Sequence, residues 1–194
     1  LHPGGPGMTP LWLTLGIGGI GFAGMFSVFS YLAPTLQHVT GTGPGFVPVA
    51  LLAFGLGSVI GTLLGGWLFD RFGFRAAALV LGGAVVVLLL YPLAARSPWT
   101  ILPGVAATAC MGALGPILQS HLMDVARDAQ TLAAASHHAA FNFANALGPW
   151  LGGMAITAGY GWTMTGPVGA ATAIAGLLIY ALALRDRRNA AWRA

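Results

Sequence analysis

Charge is what this sequence lacks most. Charged residues fill 6% of its 194 positions, against about 25% in an ordinary soluble domain. Lysine and glutamate do not occur: the eight basic residues are all arginine and the four acidic ones all aspartate. With 57% hydrophobic residues, the chain cannot cover itself with a water-facing surface, which excludes a soluble globular domain and points to an integral membrane protein. No basic patch is interleaved with aromatics, so the pI near 10.0 reflects loop arginines, and a nucleic-acid partner is not expected. The single cysteine, Cys110, excludes an intrachain disulfide and reads as a small buried apolar residue. The adjacent His137 and His138 cannot both turn to one ion on a helix, and no acid or thiol inside the apolar runs completes a metal set. No nucleophile, base and orienter are arranged together and no glycine loop is built for phosphate, so neither an enzyme nor a cofactor is expected.

What is present is apolar sequence in lengths that cross a bilayer. About 20 helical residues span the ~30 Å hydrocarbon layer, and six such runs are predicted, at 11–33, 46–68, 76–95, 99–123, 129–158 and 166–184. Residues 1–10, with Pro3-Gly4-Gly5-Pro6-Gly7, read as a Gly/Pro-rich linker rather than a signal peptide, and 185–194 as a basic tail. Because the chain begins with Leu rather than Met, it is expected to be a fragment or processed product of something longer. The first span is expected to stop at Pro34. The third, lined with Val and Leu and without a polar residue before Tyr91, is expected to face lipid. Six spans put both termini on one side. Arg71, Arg75, Arg127, Arg185, Arg187, Arg188 and Arg193 then share that side and Arg96 alone lies opposite, a positive-inside bias that predicts cytoplasmic termini.

Small and polar residues give the spans their faces. Gly57, Gly61 and Gly65 form a ridge at i, i+4, i+8, flanked by Ser58, Thr62 and Gly66, that admits another helix at backbone distance; Gly18, Gly21 and Gly24 flatten one side of the first span. Ser27, Ser30 and Tyr31 fall on a polar edge. Thr108, Gly112, Gly115 and Gln119 share one face of the fourth span by spacing. The fifth span is the most polar. His138, Asn142 and Asn145, at i, i+4, i+7, form a stripe that Gly148 to Gly152 continues, with His137 about a hundred degrees round. Such a stripe faces water or protein, so it either lines a cavity or joins helices by hydrogen bonds of about 0.6–2 kcal/mol each. Gln119, Ser30 and Tyr31 carry the same two readings. His121, near Asp124, reads as interfacial.

One charged stretch, 65–75, joins the second and third spans as a hairpin. It resembles the loop signature of the major facilitator superfamily, Gly-x-Leu-Ala-Asp-Arg-x-Gly-Arg-Arg/Lys. Gly66, Leu68, Asp70, Arg71, Gly73 and Arg75 match, while Phe69 replaces the small residue and Phe74 the first basic residue after the glycine. Ser30-Tyr31-Leu32-Ala33-Pro34, Val39-Thr40-Gly41, Ala140-Phe141-Asn142, Asn145-Ala146-Leu147-Gly148 and Trp150-Leu151-Gly152-Gly153 are similar to the C-terminal half of arabinose-efflux-permease-like drug and sugar exporters. Gly148-Pro149-x-x-Gly152-Gly153 also resembles an antiporter element that belongs to the N-terminal half in that family. The fourth span has no arginine, unlike N-terminal halves of drug-proton antiporters.

The resemblance implies an all-α membrane protein, six transmembrane helices forming one half of a major facilitator fold in the bacterial inner membrane. Its partners would be an N-terminal six-helix half or a second copy, membrane lipid and a small-molecule substrate bound near the midplane. The implied function is a proton-coupled exporter of small amphipathic solutes, of drug or sugar class, working by alternating access. Expected cavity residues are Phe26, Ser30, Tyr31, Gln119, His137, His138, Asn142 and Asn145, with Phe22, Phe29 and Trp150 as apolar lining; the family often has Asn at the position of His137. The expected gating loop is Gly66, Asp70, Arg71, Gly73 and Arg75, with Asp70 at the start of the third span, stabilising its N-terminus and reaching a helix end in the partner half. The coupling proton is carried either by a carboxylate of the other half or by His137 or His138. The alternative function is a non-transporting six-helix scaffold that binds a partner through the Gly57-Gly61-Gly65 ridge.

Overall fold

In a medium without water every backbone donor and acceptor must pair within the chain, and apolar runs of this length satisfy that by becoming helices. The structure, a computed structural model, describes residues 8–126 and 129–191, and is helical without strands among them. The first rod is broken: α1 (Met8–Gly16), a π turn at Ile17–Gly21, α2 (Ala23–Ser30) and α3 (Leu32–Thr35) follow one another, and a second π turn, Leu36–Thr40, completes it. Then come α4 (Val47–Phe72) and α5 (Arg75–Ala94). A tight 3-10 turn at Cys110–Ala113 joins α6 (Pro98–Ala109) to α7 (Leu114–Ala126), and α8 (Gln130–Ala155) and α9 (Thr165–Ala191) complete the bundle.

Among the described residues five rods are long and apolar enough to cross a membrane, Leu11–Ser30, Pro44–Phe72, Arg75–Ala94, Pro98–Ala126 and Trp162–Asp186. The sixth, α8, has 26 residues, about 39 Å at ~1.5 Å per residue, and falls short only in hydropathy, through the polar residues noted above.

Several boundaries differ from those read off the sequence. The part of the linker that is described, Met8 to Pro10, already belongs to α1; 1–7 lie outside the described residues. Pro34 does not end the first rod. Tyr31 breaks it (φ −109, ψ 14), so Pro34 falls at the third position of a new segment, where a helix has no use for the missing N–H. The rod continues to Thr40 and is closed by Gly41 at φ 73. Residues 185–191 continue α9 instead of forming a separate tail, and 192–194, like Arg127 and Asp128, lie outside the described residues.

The third span does not simply face lipid. On α5, Ala77, Leu81, Ala84, Leu88 and Tyr91 are buried at helical spacing and pack on α9, while Leu79, Val86, Leu89 and Leu93 point outward. A Cβ built on Gly166 of α9 would lie 2.5 Å from the Leu88 carbonyl. The most outward-facing rod is α4, whose buried positions are Ala50, Gly57, Gly61 and Gly65. This ridge is seated on the α6–α7 rod: a Cβ on Gly61 would stand 2.6 Å from the Cys110 carbonyl, one on Gly57 would collide with Ala106, and one on Gly65 with Ala113. The ridge is therefore consumed inside the chain and is not available to dock a partner, as the scaffold alternative requires.

The first rod is the hub. Its Gly24 meets Gly169 of α9 at Cβ-to-Cα distances of 2.8–2.9 Å, and Gly176 meets Gly21 at 2.7 Å. On its other side Ala23 and Ser27 receive Gly148 and Gly152 of α8, where a Cβ on Gly152 would be 2.6 Å from Ser27 Oγ. Buried Leu32, Leu81, Leu88, Ile101, Val105, Leu114 and Ile117 fill the space between these seams.

Candidate functional site

The seam between α2 and α8 orders the polar residues singled out in the sequence. Small residues at 23 and 27 and glycines at 148 and 152 let the two backbones meet, which turns the faces beside the seam outward. On α8 this leaves His138, Asn142 and Asn145 exposed in a line. Pro149 follows at the same register and lacks an N–H, so the Asn145 carbonyl has no helical donor four residues on. The stripe thus offers two amide side chains, an imidazole and a spare carbonyl. It runs into an open depression of about 570 Å³ lined by Tyr31, Pro149, Trp150, Gly153, Met154 and Thr157.

Tyr31 fixes the edge of that depression. Its hydroxyl donates to the Pro149 carbonyl at 2.9 Å, and a Cβ on Gly153 would lie 2.5 Å from the same hydroxyl. Its ring leans on Trp162, which also stacks on His38 (5.5 Å between centroids, 14° between planes). Tyr31→Phe is expected to lower thermal stability in detergent by the equivalent of one hydrogen bond, about 0.5–1.5 kcal/mol. No change at all would mean that the bond does not hold the seam.

The remaining candidates divide. Ser30 is exposed, Phe26 and Gln119 half-buried. His137, 7% exposed, does not open on the stripe: it lies inside among Gly18, Phe22, Leu114, Leu118 and Phe141, with its ring edge toward His138 at 5.7 Å. Phe22, expected as lining, is core at 3% exposed; it forms a triangle with Phe26 and Phe141 at 4.8–5.6 Å. Phe29 is outward and pairs with Phe54 at 4.7 Å, and Trp150 is 61% exposed. Ser27, expected on a polar edge, is buried in the α2–α8 seam. The common face of Thr108, Gly112, Gly115 and Gln119 is not kept, because the 3-10 turn at 110–113 shifts the helical phase. Thr108 is buried and donates to Gly104 at 2.9 Å, whereas Gly112 turns to Ser58 on α4.

The charged hairpin is tighter than a loop. Helix α4 runs to Phe72 and α5 begins at Arg75, so Gly66, Asp70 and Arg71 are helical and the turn itself is Gly73-Phe74. Gly73 donates to the Phe69 carbonyl at 2.7 Å with φ 56 and ψ −142, a conformation open to glycine. Asp70 therefore sits in the last turn of α4 and not at the start of the next helix. There the helix dipole disfavours an anion and favours the neighbouring Arg71, by about 0.3–1 kcal/mol for each. Asp70 is exposed. Sequence reasoning missed the role of Phe74: its ring stacks on His121 (4.0 Å, 26°) and leans on Tyr180 (5.0 Å), binding the turn to α7 and α9. His121 is thus buried beneath the turn.

With this geometry in hand, comparisons with known proteins are specific. The sequence model of the family described as Major Facilitator Superfamily matches residues 15–194. The chain is 36% identical over 171 residues to the inner membrane transport protein YdhP of Escherichia coli, covering 87% of this chain and 43% of that protein. It is 34% identical over 192 residues to an uncharacterised transporter of the same type, YtbD of Bacillus subtilis, covering 93% and 48%. It is 32% identical over 176 residues to a chloramphenicol resistance protein of Streptomyces lividans, covering 88% and 43%. The chain spans somewhat under half the length of these relatives.

Proposed function

The chain belongs to the major facilitator superfamily, and on that premise we propose that it forms one wall of a central cavity in a secondary exporter that alternates access by rocking against a second six-helix bundle. Membership makes it an integral membrane transport protein rather than an enzyme. The observation that carries the finer reading is the exposed line His138, Asn142, Asn145 on a bundle whose other outward residues are largely Leu, Val, Ile and Trp. Amides in a spanning helix do not face lipid, so this side meets water, substrate or a partner bundle. The adjoining aromatics, Phe26, Phe29 and Trp150, suit a small amphipathic solute, and a relative named for chloramphenicol resistance favours export. The arginine-rich end, with Arg71, Arg75 and Arg185, is assigned to the cytoplasm of a bacterial inner membrane.

Proton coupling is tested in the complete protein, reconstituted with both bundles, over about pH 5.5 to 8, which brackets the ordinary histidine range near ~6.5. His138→Asn and the double variant with His137→Asn are compared. Retained pH-driven accumulation places the proton carrier in the other bundle, which is the outcome expected. Loss of accumulation with intact solute exchange places it on α8.

Asp70 is assigned to the cytoplasmic gate because it occupies a position that its own helix disfavours. Asp70→Asn is expected to slow transport about tenfold while leaving stability unchanged or higher by about 0.3–1 kcal/mol. Wild-type rates in vesicles would remove it from the mechanism.

A further inference from the structure

The hairpin helices α4 and α5 touch little along their length, although a two-residue turn joins them. Between them and α6 runs an apolar groove of about 340 Å³, lined by Leu64 and Leu68 of α4, Leu79, Gly83 and Val87 of α5, and Met111. It carries no charged side chain. Helical register places a guanidinium on each wall at its turn end. Arg71 lies about 20° from Leu64 and about 60° from Leu68 in azimuth, and Arg75 lies one turn from Leu79. Both arginines are exposed. Asp70 points roughly 120–160° away round α4 from the leucines of the groove.

A trough of hydrocarbon depth with two cations at its mouth matches one kind of occupant. The groove is open and lined by aliphatic and small residues, so part of a narrow flexible hydrocarbon chain can lie along it. The two guanidiniums match a phosphodiester, which arginine binds in bidentate fashion, at the depth where basic pockets between helices hold anionic head groups. We propose that this groove is a binding site for an anionic phospholipid, one acyl chain lying between α4 and α5 and the phosphate on Arg71 and Arg75. This site is separate from the polar stripe of α8 and does not depend on the transport reading.

Glycine geometry supplies a clean test. A Cβ on Gly83 would have nothing within 4 Å, and the same holds for Gly82, which does not line the groove. Gly83→Leu therefore has room at its Cβ and is expected to extend into the groove, and Gly82→Leu is its control. The complete protein, purified in detergent, is titrated with phosphatidylglycerol or phosphatidylcholine and read by native mass spectrometry. We expect at least tenfold preference for phosphatidylglycerol in the wild type. Gly83→Leu, and Arg71→Gln with Arg75→Gln, should each cut its retention about tenfold, while Gly82→Leu leaves it unchanged. Equal retention of both lipids, or retention that survives Gly83→Leu, overturns the proposal. Full displacement by glycerol 1-phosphate would show an anion site without a chain. Loss of a protein subunit, rather than of lipid, on Gly83→Leu would show that the groove seats a helix.

Discussion

Replacing Gly61 by leucine is expected to abolish folded protein. The Cβ alone would stand 2.6–2.9 Å from the backbone of Cys110, and a backbone cannot step aside as a side-chain tip can. Overpacking a well-filled core costs about 1–3 kcal/mol, and here the obstruction lies in the middle of a seam in which Gly57 and Gly65 are equally tight. Separation of α4 from α6 would also undo the hydrogen bond from Cys110 Sγ to the Gly57 carbonyl at 3.4 Å. Gly55→Leu is the control, since nothing lies within 4 Å of that position. Yield in detergent and thermal stability are the readouts. Normal values for Gly61→Leu would mean that α4 does not sit on α6 as described.

The double variant Asn142→Leu, Asn145→Leu is expected to do the opposite, leaving the bundle folded and slowing transport. Both side chains are exposed, so leucine adds no strain. Two substrate hydrogen bonds at about 0.5–1.5 kcal/mol each correspond to a loss of roughly 5- to 150-fold. Initial rates in vesicles and melting temperature are measured together. Transport slowed at unchanged stability makes the stripe a cavity wall, whereas dissociation of the second bundle makes it interhelical glue. These are the two readings that the sequence left open.

How far the sequence could be read follows from the chemistry of each element. The polar line on α8 was legible because amides stand out against leucine, and the glycine ridge of α4 because its spacing repeats every four residues. What the ridge meets was not legible: Ala106, Cys110 and Ala113 leave no mark on Gly57, Gly61 and Gly65. The buried face of α5 escaped for a related reason. In a bilayer both the protein side and the lipid side favour Val, Leu and Ala, so hydropathy does not separate Leu81 and Leu88, which are buried, from Leu79 and Leu89, which are not. Helix ends were misjudged where breakers proved harmless, as at Pro34, and where charged residues stayed helical, as at Asp70 and Arg185. The packing of Phe74 on His121 and Tyr180 joins three distant parts of the chain through unremarkable residues.

The glycine seam between the first rod and α9 bears on the order of events during synthesis. Gly24 and Gly169 meet at backbone distance, yet they are about 145 residues apart in the chain. At ~5–20 residues per second, the ribosome needs roughly 7–30 s to make the second after the first. Through most of that interval both seams of the hub helix are unmade, because Gly148 and Gly152 of α8 also lie far downstream, and the α9 seam is the later to close. A nascent chain stalled before α9 would hold Gly21 and Gly24 bare toward lipid or toward another unfinished chain. Closure of the bundle is therefore a late, post-insertion step, set by arrival of the last helix.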